Sequence, residues 1–378
     1  MPANPFRFGS PVDQALLIDR EAEREKILAI LLEARNLALV APRGIGKSSL
    51  LAAVARDGTQ REMNTAYVDL LPALNPRRFA ELYASALTLS PSRTMQDTQE
   101  ALRRLIPNFS PRVTLSGEGR PALQLDLWDR ERDIQALMDR IFEVPAEMQK
   151  RSGRPLCIIF DDFEDLIAVA QPSLLRELAT AARKQIHVSY VFVLRKDSTI
   201  QRLFEEPHSP FYRLAESMRL APVPKKLMVE GLEQLFVECG VSIEPALLHE
   251  LLRLADTIPH YVQMLAHALF EQSRENGTAT GEDLKAALSH VLEGQAYSFK
   301  FQWDQLSAHQ KTLALAIAQG FTEKLHSQKM VVRLGLGSPS TVAKNLRVLS
   351  EREILNRDGA DIRFVDPFFG LWLQRRMS

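Results

Sequence analysis

The chain has 378 residues, more than one ordinary domain needs, and its 46% apolar and 25% charged residues are typical of a soluble globular protein. Its formal net charge of zero argues against a protein that coats nucleic acid generally. The charge is uneven, because residues 300–378 contain 12 Lys and Arg against 7 Asp and Glu, so the C-terminal part is basic.

The number of cysteines and the lengths of the apolar runs bear on the cellular compartment. Only Cys157 and Cys239 are present, too few for a disulfide framework in a chain of this length, which favours a reducing environment. The N-terminal residues lack the basic and apolar regions of a signal peptide, and no apolar run approaches the length of a membrane span. We therefore expect a cytoplasmic location and no membrane association.

The first predicted element is a helix that begins near Asp19, with Asp19 as its N-cap and an apolar face at Ile27, Leu28 and Leu31. It leads the chain to the first predicted strand. Two interpretations of this N-terminal segment stay open: an arm that covers the edge of a sheet, or part of an adenine pocket.

A phosphate-binding motif follows. An apolar strand at residues 37–41 runs into Pro42, Arg43, Gly44, Ile45, Gly46, Lys47, Ser48 and Ser49, and then into a helical pattern. Strand, glycine-rich loop and helix are the context that the P-loop motif requires. In such a loop the backbone N–H groups and the helix N-terminus face the phosphates. Lys47 would reach the β- and γ-phosphates and the Ser48 hydroxyl would hold Mg²⁺.

One position of this motif departs from the usual pattern. The first glycine is replaced by Ala41, which tolerates a positive φ angle poorly. The alternative interpretation of the stretch is a Gly/Pro turn that happens to precede Lys and Ser.

Residues 66–70 are predicted to form the second strand, and strands that alternate with helices indicate a parallel sheet. The stretch at about 108–126 interrupts this order, since residues 112–115 and 122–125 flank a turn and predict an inserted β-hairpin. It is interpreted as either a surface decoration or an arm that binds a partner. A charged helix is predicted after it, at residues 126–150.

Acidic residues follow the next apolar strand, at residues 156–160. Asp161 at the strand end can hold Mg²⁺, and Asp162 can orient the attacking water as a general base. A further buried strand at residues 188–194 ends at Arg195, where related sheets carry a polar sensor of the γ-phosphate.

The remaining sequence is predicted to be helical up to about residue 295 and then to form a winged helix. Three helices are expected at residues 306–318, 327–334 and 338–353, followed by a hairpin around residues 354–365. This order of elements can place a recognition helix in a major groove. The side chains expected to face outward from the third helix are those of Lys344, Asn345, Arg347 and Arg352.

The chain resembles the archaeal-type ATPase family within the STAND branch of AAA+-like P-loop ATPases. The resemblance extends over nearly the whole chain and rests on the P-loop together with Asn4–Phe6, Asp19–Glu21, Asp161–Glu164, Arg202–Phe204, Pro210–Arg213, Pro259–Gln263 and Phe364–Pro367. It implies an α/β fold: a P-loop ATPase core with a five-stranded parallel sheet, a helical lid domain and a C-terminal winged helix. The implied domains are residues 1–221, with the inserted hairpin, residues 222–297 and residues 298–378.

The resemblance also implies where the nucleotide binds. Asp19 and Arg20 would border the adenine, and Pro259, next to His260, would back it. Three positions depart from the family pattern: Asp162 replaces the usual Glu, Arg195 occupies the sensor position, and Thr257 replaces the Gly of the lid motif.

The first two departures bear on hydrolysis rather than on binding, because a shorter carboxylate places the water about one methylene away from its usual position. Glu164, three residues after Asp161, is a second candidate for the base.

These features predict a molecular switch that binds ATP or ADP with Mg²⁺ and hydrolyses ATP slowly. Its domain rearrangement would engage an unidentified protein partner, and nucleotide-dependent homo-oligomers are expected. The first alternative is a DNA-handling AAA+ ATPase, similar to an initiator or a transposition helper, that binds DNA through residues 338–363. The second is a nucleotide-binding scaffold that does not hydrolyse ATP.

Overall fold

The computed structural model describes residues 3–9, 17–73, 75–88, 110–115, 121–126, 131–358 and 361–377. The chain forms two compact units. The sheet unit comprises residues 20–42 and 47–221, and the helical unit comprises residues 1–19, 43–46 and 222–378.

A five-stranded parallel sheet is the centre of the sheet unit, as the family resemblance implied. Its strands are β1 (Leu37–Val40), β2 (Asn64–Asp69), β5 (Leu156–Asp161), β6 (Val188–Leu194) and β7 (Glu216–Arg219). They are arranged in the order β2–β5–β6–β1–β7, with every neighbouring pair parallel. Strands β5 and β6 are buried along their whole length, which explains their continuous apolar sequences.

The described residues of the sheet unit form the helices α1 (Glu21–Leu32), α2 (Lys47–Gln60), α3 (Pro76–Thr88), α4 (Glu131–Ser152), α5 (Phe163–Val169), α6 (Pro172–Lys184) and the short α7 (Asp197–Ile200). A π-helical turn, Gln201–Glu205, follows α7. An aromatic core lies on one face of the sheet, where Phe160 contacts Tyr83, Phe163 and Phe192. Helix α1 begins after Arg20, and Asp19 has a φ of 52°, so the prediction that Asp19 is the N-cap is wrong.

The inserted hairpin has the predicted antiparallel form. It consists of β3 (Ser110–Leu115) and β4 (Pro121–Asp126), which pair from Ser110 opposite Asp126 to Leu115 opposite Pro121. The turn between the strands lies outside the described residues. Its role, as a decoration or as a partner-binding arm, stays a prediction.

The helical unit contains α8 (Lys225–Glu238), α9 (Pro245–Leu254), α10 (Pro259–Ser273) and α11 (Gly281–Asp304). The N-terminal segment is anchored here. Phe6 is fully buried, with its ring 4.6 Å from that of Phe236 and 6.2 Å from that of Phe270. The Asn4 amide donates a hydrogen bond of 2.8 Å to Glu271.

The C-terminal part has the connectivity of a winged helix. Helices α12 (Ala308–Ala318), α13 (Gln328–Leu334) and α14 (Pro339–Glu351) precede the hairpin of β8 (Leu355–Asp358) and β9 (Asp361–Phe364), and α15 (Pro367–Met377) ends the chain. The side chains of Ser307, Ser327 and Ser338 cap the first three of these helices.

The winged helix and the lid helices share one apolar core. Phe299 of α11 lies 5.7 Å from Phe369 and 5.9 Å from Trp372 of α15, measured between ring centroids. Helix α11 also runs across residue 297, the predicted boundary between these domains. Asn345 is buried, so the prediction that it faces outward from α14 is wrong. No helix in the described ranges combines the length and apolar character needed to span a membrane.

Candidate nucleotide-binding site

The backbone of residues 41–48, which we call the phosphate loop, has two left-handed positions. Gly44 and Gly46 have φ angles of +78° and +96°, which an L side chain adopts only with strain. Ala41 is not among the residues with a positive φ. Its N–H instead donates to the carbonyl oxygen of Leu194 at 3.0 Å, which continues the pairing of β1 with β6. Alanine therefore replaces the first motif glycine without backbone strain.

Lys47 is the first residue of α2 and is buried despite its charge. Its ammonium group donates hydrogen bonds to the carbonyl oxygens of Ala41, at 2.9 Å, and Pro42, at 3.2 Å. These contacts hold the cation at the phosphate loop, beside the N-terminus of α2 and its partial positive charge. The arrangement suits the binding of an anion with several charges.

Ser48 and Asp161 lie together although 113 positions separate them in the chain. The Ser48 hydroxyl donates to Oδ2 of Asp161 at 3.0 Å. Asp161 is the buried last residue of β5, and its Oδ1 accepts the N–H of Asp162 at 3.0 Å. A hydroxyl and a carboxylate are oxygen ligands of the kind that Mg²⁺ prefers, so these two residues fit a magnesium ion.

Tyr67 also contacts the Asp161 carboxylate, and the sequence did not point to it. Its hydroxyl donates to Oδ2, the oxygen that also accepts from Ser48. Burial raises the pKa of Tyr67 well above its ordinary value, and the adjacent carboxylate raises it further, so the phenol keeps its proton at neutral pH.

The acids that follow Asp161 surround Arg195. The guanidinium group donates to Glu164 at 3.0 Å, to Asp165 at 2.9 Å and to Asp162 at 3.4 Å. The second carboxylate oxygen of Glu164 accepts the N–H of Lys196 at 3.1 Å. Both oxygens of Glu164 thus have partners within the protein, whereas Asp162 receives one long bond from Arg195.

Asp162 differs from its neighbours in backbone and in acidity. Its φ of 51° lies in the left-handed region, directly before α5. Burial raises the pKa of Asp162, and the neighbouring Asp161 carboxylate adds to this effect. The positive charges of Arg195 and Lys47 act in the opposite direction. A carboxylate with a raised pKa is a stronger base once it is ionised.

Residues 43–46 of the phosphate loop belong to the helical unit. The N–H of His260 donates to the carbonyl oxygen of Gly44 at 2.9 Å. A Cβ atom on Gly44 would lie 2.8 Å from the Ile258 side chain and 3.2 Å from that of His260. Burial lowers the pKa of His260, which favours its neutral form. Residues 43–46 of the loop are therefore in direct contact with the start of α10, and the roles of Pro259 and His260 toward the nucleotide stay predictions.

In the turn before α10, two residues that are not glycine have backbone angles in the left-handed region. Asp256 and Thr257 have φ angles of 49° and 55°. Thr257 stands where the family pattern has a glycine, and a β-branched residue in this region is strained. The strain explains why glycine is usual at this position.

Two further polar contacts join Arg43 and α10 to the winged helix, and sequence reasoning predicted neither pairing. Arg43 forms an ion pair of 3.1 Å with Glu353, just after α14. Tyr261 hydrogen-bonds Asp366, which also accepts the N–H of Phe368 at 2.9 Å. Burial raises the pKa of Asp366 to about 6.

For the other residues that were predicted to contact the nucleotide, the structure shows their exposure and, for Arg20, an acidic partner. Asp19 is exposed, whereas Arg20 is buried and forms an ion pair of 2.7 Å with Glu23. Ile45 is buried and Ser49 is half-buried. Their roles stay predictions.

The sequence profile of a family described as Novel STAND NTPase 1 matches residues 6–351. The chain belongs to this STAND NTPase family. It is thus a P-loop NTPase of the STAND or AAA+-like kind, in agreement with the phosphate loop. No functionally curated sequence matches it significantly.

Solved structures show the same fold at low sequence identity. A Walker-type ATPase from Pyrococcus abyssi is 17% identical, with a TM-score of 0.66, and the match covers 95% of this chain and 96% of that one. The ORC2 protein of Aeropyrum pernix, in ADPNP and ADP complexes, is 15% identical with a TM-score of 0.57, covering 96% and 95%. The ORC1 protein of Aeropyrum pernix, in complex with DNA, is 17% identical with a TM-score of 0.55, covering 95% and 93%.

Proposed function

We propose that this STAND NTPase is an ATP-dependent molecular switch that binds ATP with Mg²⁺, hydrolyses it slowly and couples the bound nucleotide to a domain rearrangement. The observation that carries the proposal is the phosphate loop. Its two left-handed glycines, the buried ammonium of Lys47 and the paired oxygens of Ser48 and Asp161 occur together in a chain of this family.

Binding would use groups that are already positioned. The Lys47 ammonium, held by the loop carbonyls, would exchange those bonds for charge-assisted bonds to the β- and γ-phosphates. Ser48 and Asp161 would hold Mg²⁺, which supplies charge neutralisation for the phosphates when it is bound. ADP would keep the same contacts except those to the γ-phosphate.

Slow hydrolysis follows from the partners of the acidic side chains. Asp162 is the favoured base, because Glu164 is held by Arg195 and by the backbone of Lys196. Arg195, which occupies the sensor position, is itself engaged by three carboxylates. These carboxylates offset its positive charge and thereby reduce the stabilisation that it can offer to a γ-phosphate.

The shared core of the lid helices and the winged helix suggests that these elements move as one body. The Arg43–Glu353 ion pair and the His260–Gly44 hydrogen bond link that body to the phosphate loop. Occupation of the loop by a nucleotide would change these contacts and alter the surface offered to a protein partner or to a second copy of the chain.

The test is calorimetric titration of ATP into the wild type and the Lys47→Ala variant, in the presence of Mg²⁺. A hydrogen bond to a charged group is worth about 1.5–3 kcal/mol, so we expect the variant to bind at least about tenfold more weakly. The control is Lys285→Ala, which removes an exposed lysine of α11 and should leave the affinity unchanged. Equal affinities of the wild type and Lys47→Ala would contradict the proposal.

DNA binding through residues 338–363 is a second candidate function. It is favoured by the exposed side chains of Lys344 and Arg347 on α14 and by the fold shared with an ORC1 protein that is described in complex with DNA. It is weakened because two basic side chains of this region, Arg347 among them, already pair with carboxylates. Arg347 pairs with Glu351 at 3.0 Å and Arg363 with Asp256 at 3.0 Å.

Fluorescence anisotropy with duplex DNA at several salt concentrations tests this second candidate. The switch function predicts weak binding that salt abolishes, since few phosphate contacts are available. Submicromolar binding near physiological salt, lost in a Lys344→Ala/Arg347→Ala double variant, would establish the DNA function instead.

A further inference from the structure

Tyr67 reaches the site from a strand that carries none of the motif residues. It lies on β2, which pairs with β5 so that Tyr67 is opposite Ile159 and Asp69 is opposite Asp161. Side chains two positions apart on a strand point to the same face, so Tyr67 and Asp161 share one face of the sheet. From there the Tyr67 hydroxyl donates to Oδ2 of Asp161.

Three donors therefore fix the Asp161 carboxylate. Oδ1 accepts the backbone N–H of Asp162, and Oδ2 accepts the hydroxyl groups of both Ser48 and Tyr67. Ser48 is expected to bind Mg²⁺ through its oxygen. The Tyr67 hydroxyl is the donor to Oδ2 that comes from outside the expected metal ligands.

We propose that Tyr67 is a positioning residue that holds Asp161 in the orientation needed for Mg²⁺ and thereby sets how strongly Mg²⁺ tightens nucleotide binding. The inference rests on the proposed ATP-binding function. Hydrogen-bonding partners of metal ligands commonly change metal affinity by about 10–100-fold when they are removed.

A purely structural role for the hydroxyl is the competing explanation. Strands β2 and β5 already pair over six residues, from Asn64 opposite Leu156 to Asp69 opposite Asp161. Tyr67 as a whole is also 38% exposed, although its hydroxyl is partly buried against Asp161, so it adds less to packing than a fully buried tyrosine does. The Tyr67→Phe variant keeps the ring and removes only the donor.

The experiment measures ATP affinity by calorimetry with Mg²⁺ and with EDTA, in the wild type and in Tyr67→Phe. We expect the affinity in EDTA to agree within about twofold, and the tightening produced by Mg²⁺ to be about tenfold smaller in the variant. The matched control is Tyr297→Phe, which removes the same hydroxyl from a residue of α11 that is 85% exposed. It should retain the full effect of Mg²⁺.

Two results would overturn the inference alone: a wild-type response to Mg²⁺ in Tyr67→Phe, or an equal loss of affinity with and without Mg²⁺. Equal loss accompanied by a lower thermal unfolding midpoint of the nucleotide-free variant would assign the hydroxyl a structural role. If the wild type does not bind ATP under either condition, the proposed function fails, and the inference fails with it.

Discussion

The two halves of the phosphate loop have different surroundings. Lys47 and Ser48 lie in the sheet unit, where polar atoms of the loop and Asp161 hold them. Arg43 and Gly44 lie in the helical unit, where they contact an acidic residue after α14 and the start of α10. One half thus supplies the groups that would bind phosphate and metal. The other half packs against Ile258 and His260 and pairs with Glu353, contacts through which the proposed switch would respond to a bound nucleotide.

The largest effect is expected on the rate of ATP hydrolysis, which we assign to residues of the sheet unit. Asp162→Asn should lower the rate of ATP hydrolysis about a hundredfold, the lower range for loss of a general base, whereas Glu164→Gln should change it less than threefold. Because burial raises the pKa of Asp162, the hydrolysis rate should fall as the pH falls through that raised pKa. Phosphate release under saturating ATP measures both effects. If only Glu164→Gln loses activity, the assignment of Asp162 as the base is wrong.

The next effect concerns Asp366, in the helical unit. Its pKa is raised to about 6, so between about pH 4 and pH 6 the folded state retains a proton that the unfolded state has released. The free energy of unfolding should therefore fall by about 3 kcal/mol as the pH rises through this window.

Asp366→Asn should remove most of that decrease while it keeps an acceptor for the N–H of Phe368. Urea denaturation at pH 4 and pH 7 measures it. The control, Asp304→Asn, changes an exposed carboxylate and should not reduce the decrease. An unchanged pH dependence in Asp366→Asn would show that another group is responsible.

Gly44→Ala tests how tightly the helical half of the loop is packed. The new Cβ would lie 2.8 Å from Ile258, at a residue with a φ of +78°. Strain and overpacking should together lower the free energy of unfolding by about 1–3 kcal/mol. Gly294→Ala is the matched control, because its Cβ would meet nothing within 4 Å in α11 and should stabilise the protein by up to about 1 kcal/mol. Similar effects of the two variants, measured in urea, would refute the packing argument.

The smallest effect is expected for the ion pair of Arg43 with Glu353. The two side chains are 52% and 27% exposed, so solvent screens their attraction. A double-mutant cycle of Arg43→Ala and Glu353→Ala should give a coupling energy below about 1 kcal/mol without nucleotide, which decreases with added salt. A coupling energy of several kcal/mol would mean that the Arg43–Glu353 ion pair stabilises the fold, and is not a weak contact that a bound nucleotide could change.

Much of the fold could be predicted because short stretches of sequence identify its strands, helices and phosphate loop. The buried strands were recognisable as apolar runs, the winged-helix segments had serine caps, and the phosphate loop had its spacing. The number of strands came from the family resemblance, and the order of the strands was not predicted, since apolar runs carry no information about which strand lies beside which.

The contacts that the sequence did not predict depend on that missing spatial order. Tyr67 meets Asp161 because β2 lies beside β5, and Arg195 meets Glu164 because β6 lies on the other side of β5. At Ala41, by contrast, the local motif raised an expectation that the backbone does not meet. Its place at the first motif glycine suggests a strained φ, but the backbone keeps Ala41 out of the left-handed region, and its N–H continues the pairing of β1 with β6.

The central claim is that this protein binds ATP and hydrolyses it slowly. A single-turnover experiment tests it most directly: excess protein is mixed with radiolabelled ATP and Mg²⁺, quenched over time, and the nucleotides are separated. The account predicts that the ATP is retained by the protein and converted to ADP much more slowly than the rate of about 1 s⁻¹ at the lower end of typical turnover. Conversion at or above that rate, no conversion beyond that of a protein-free control, or a failure of the protein to retain ATP would contradict it.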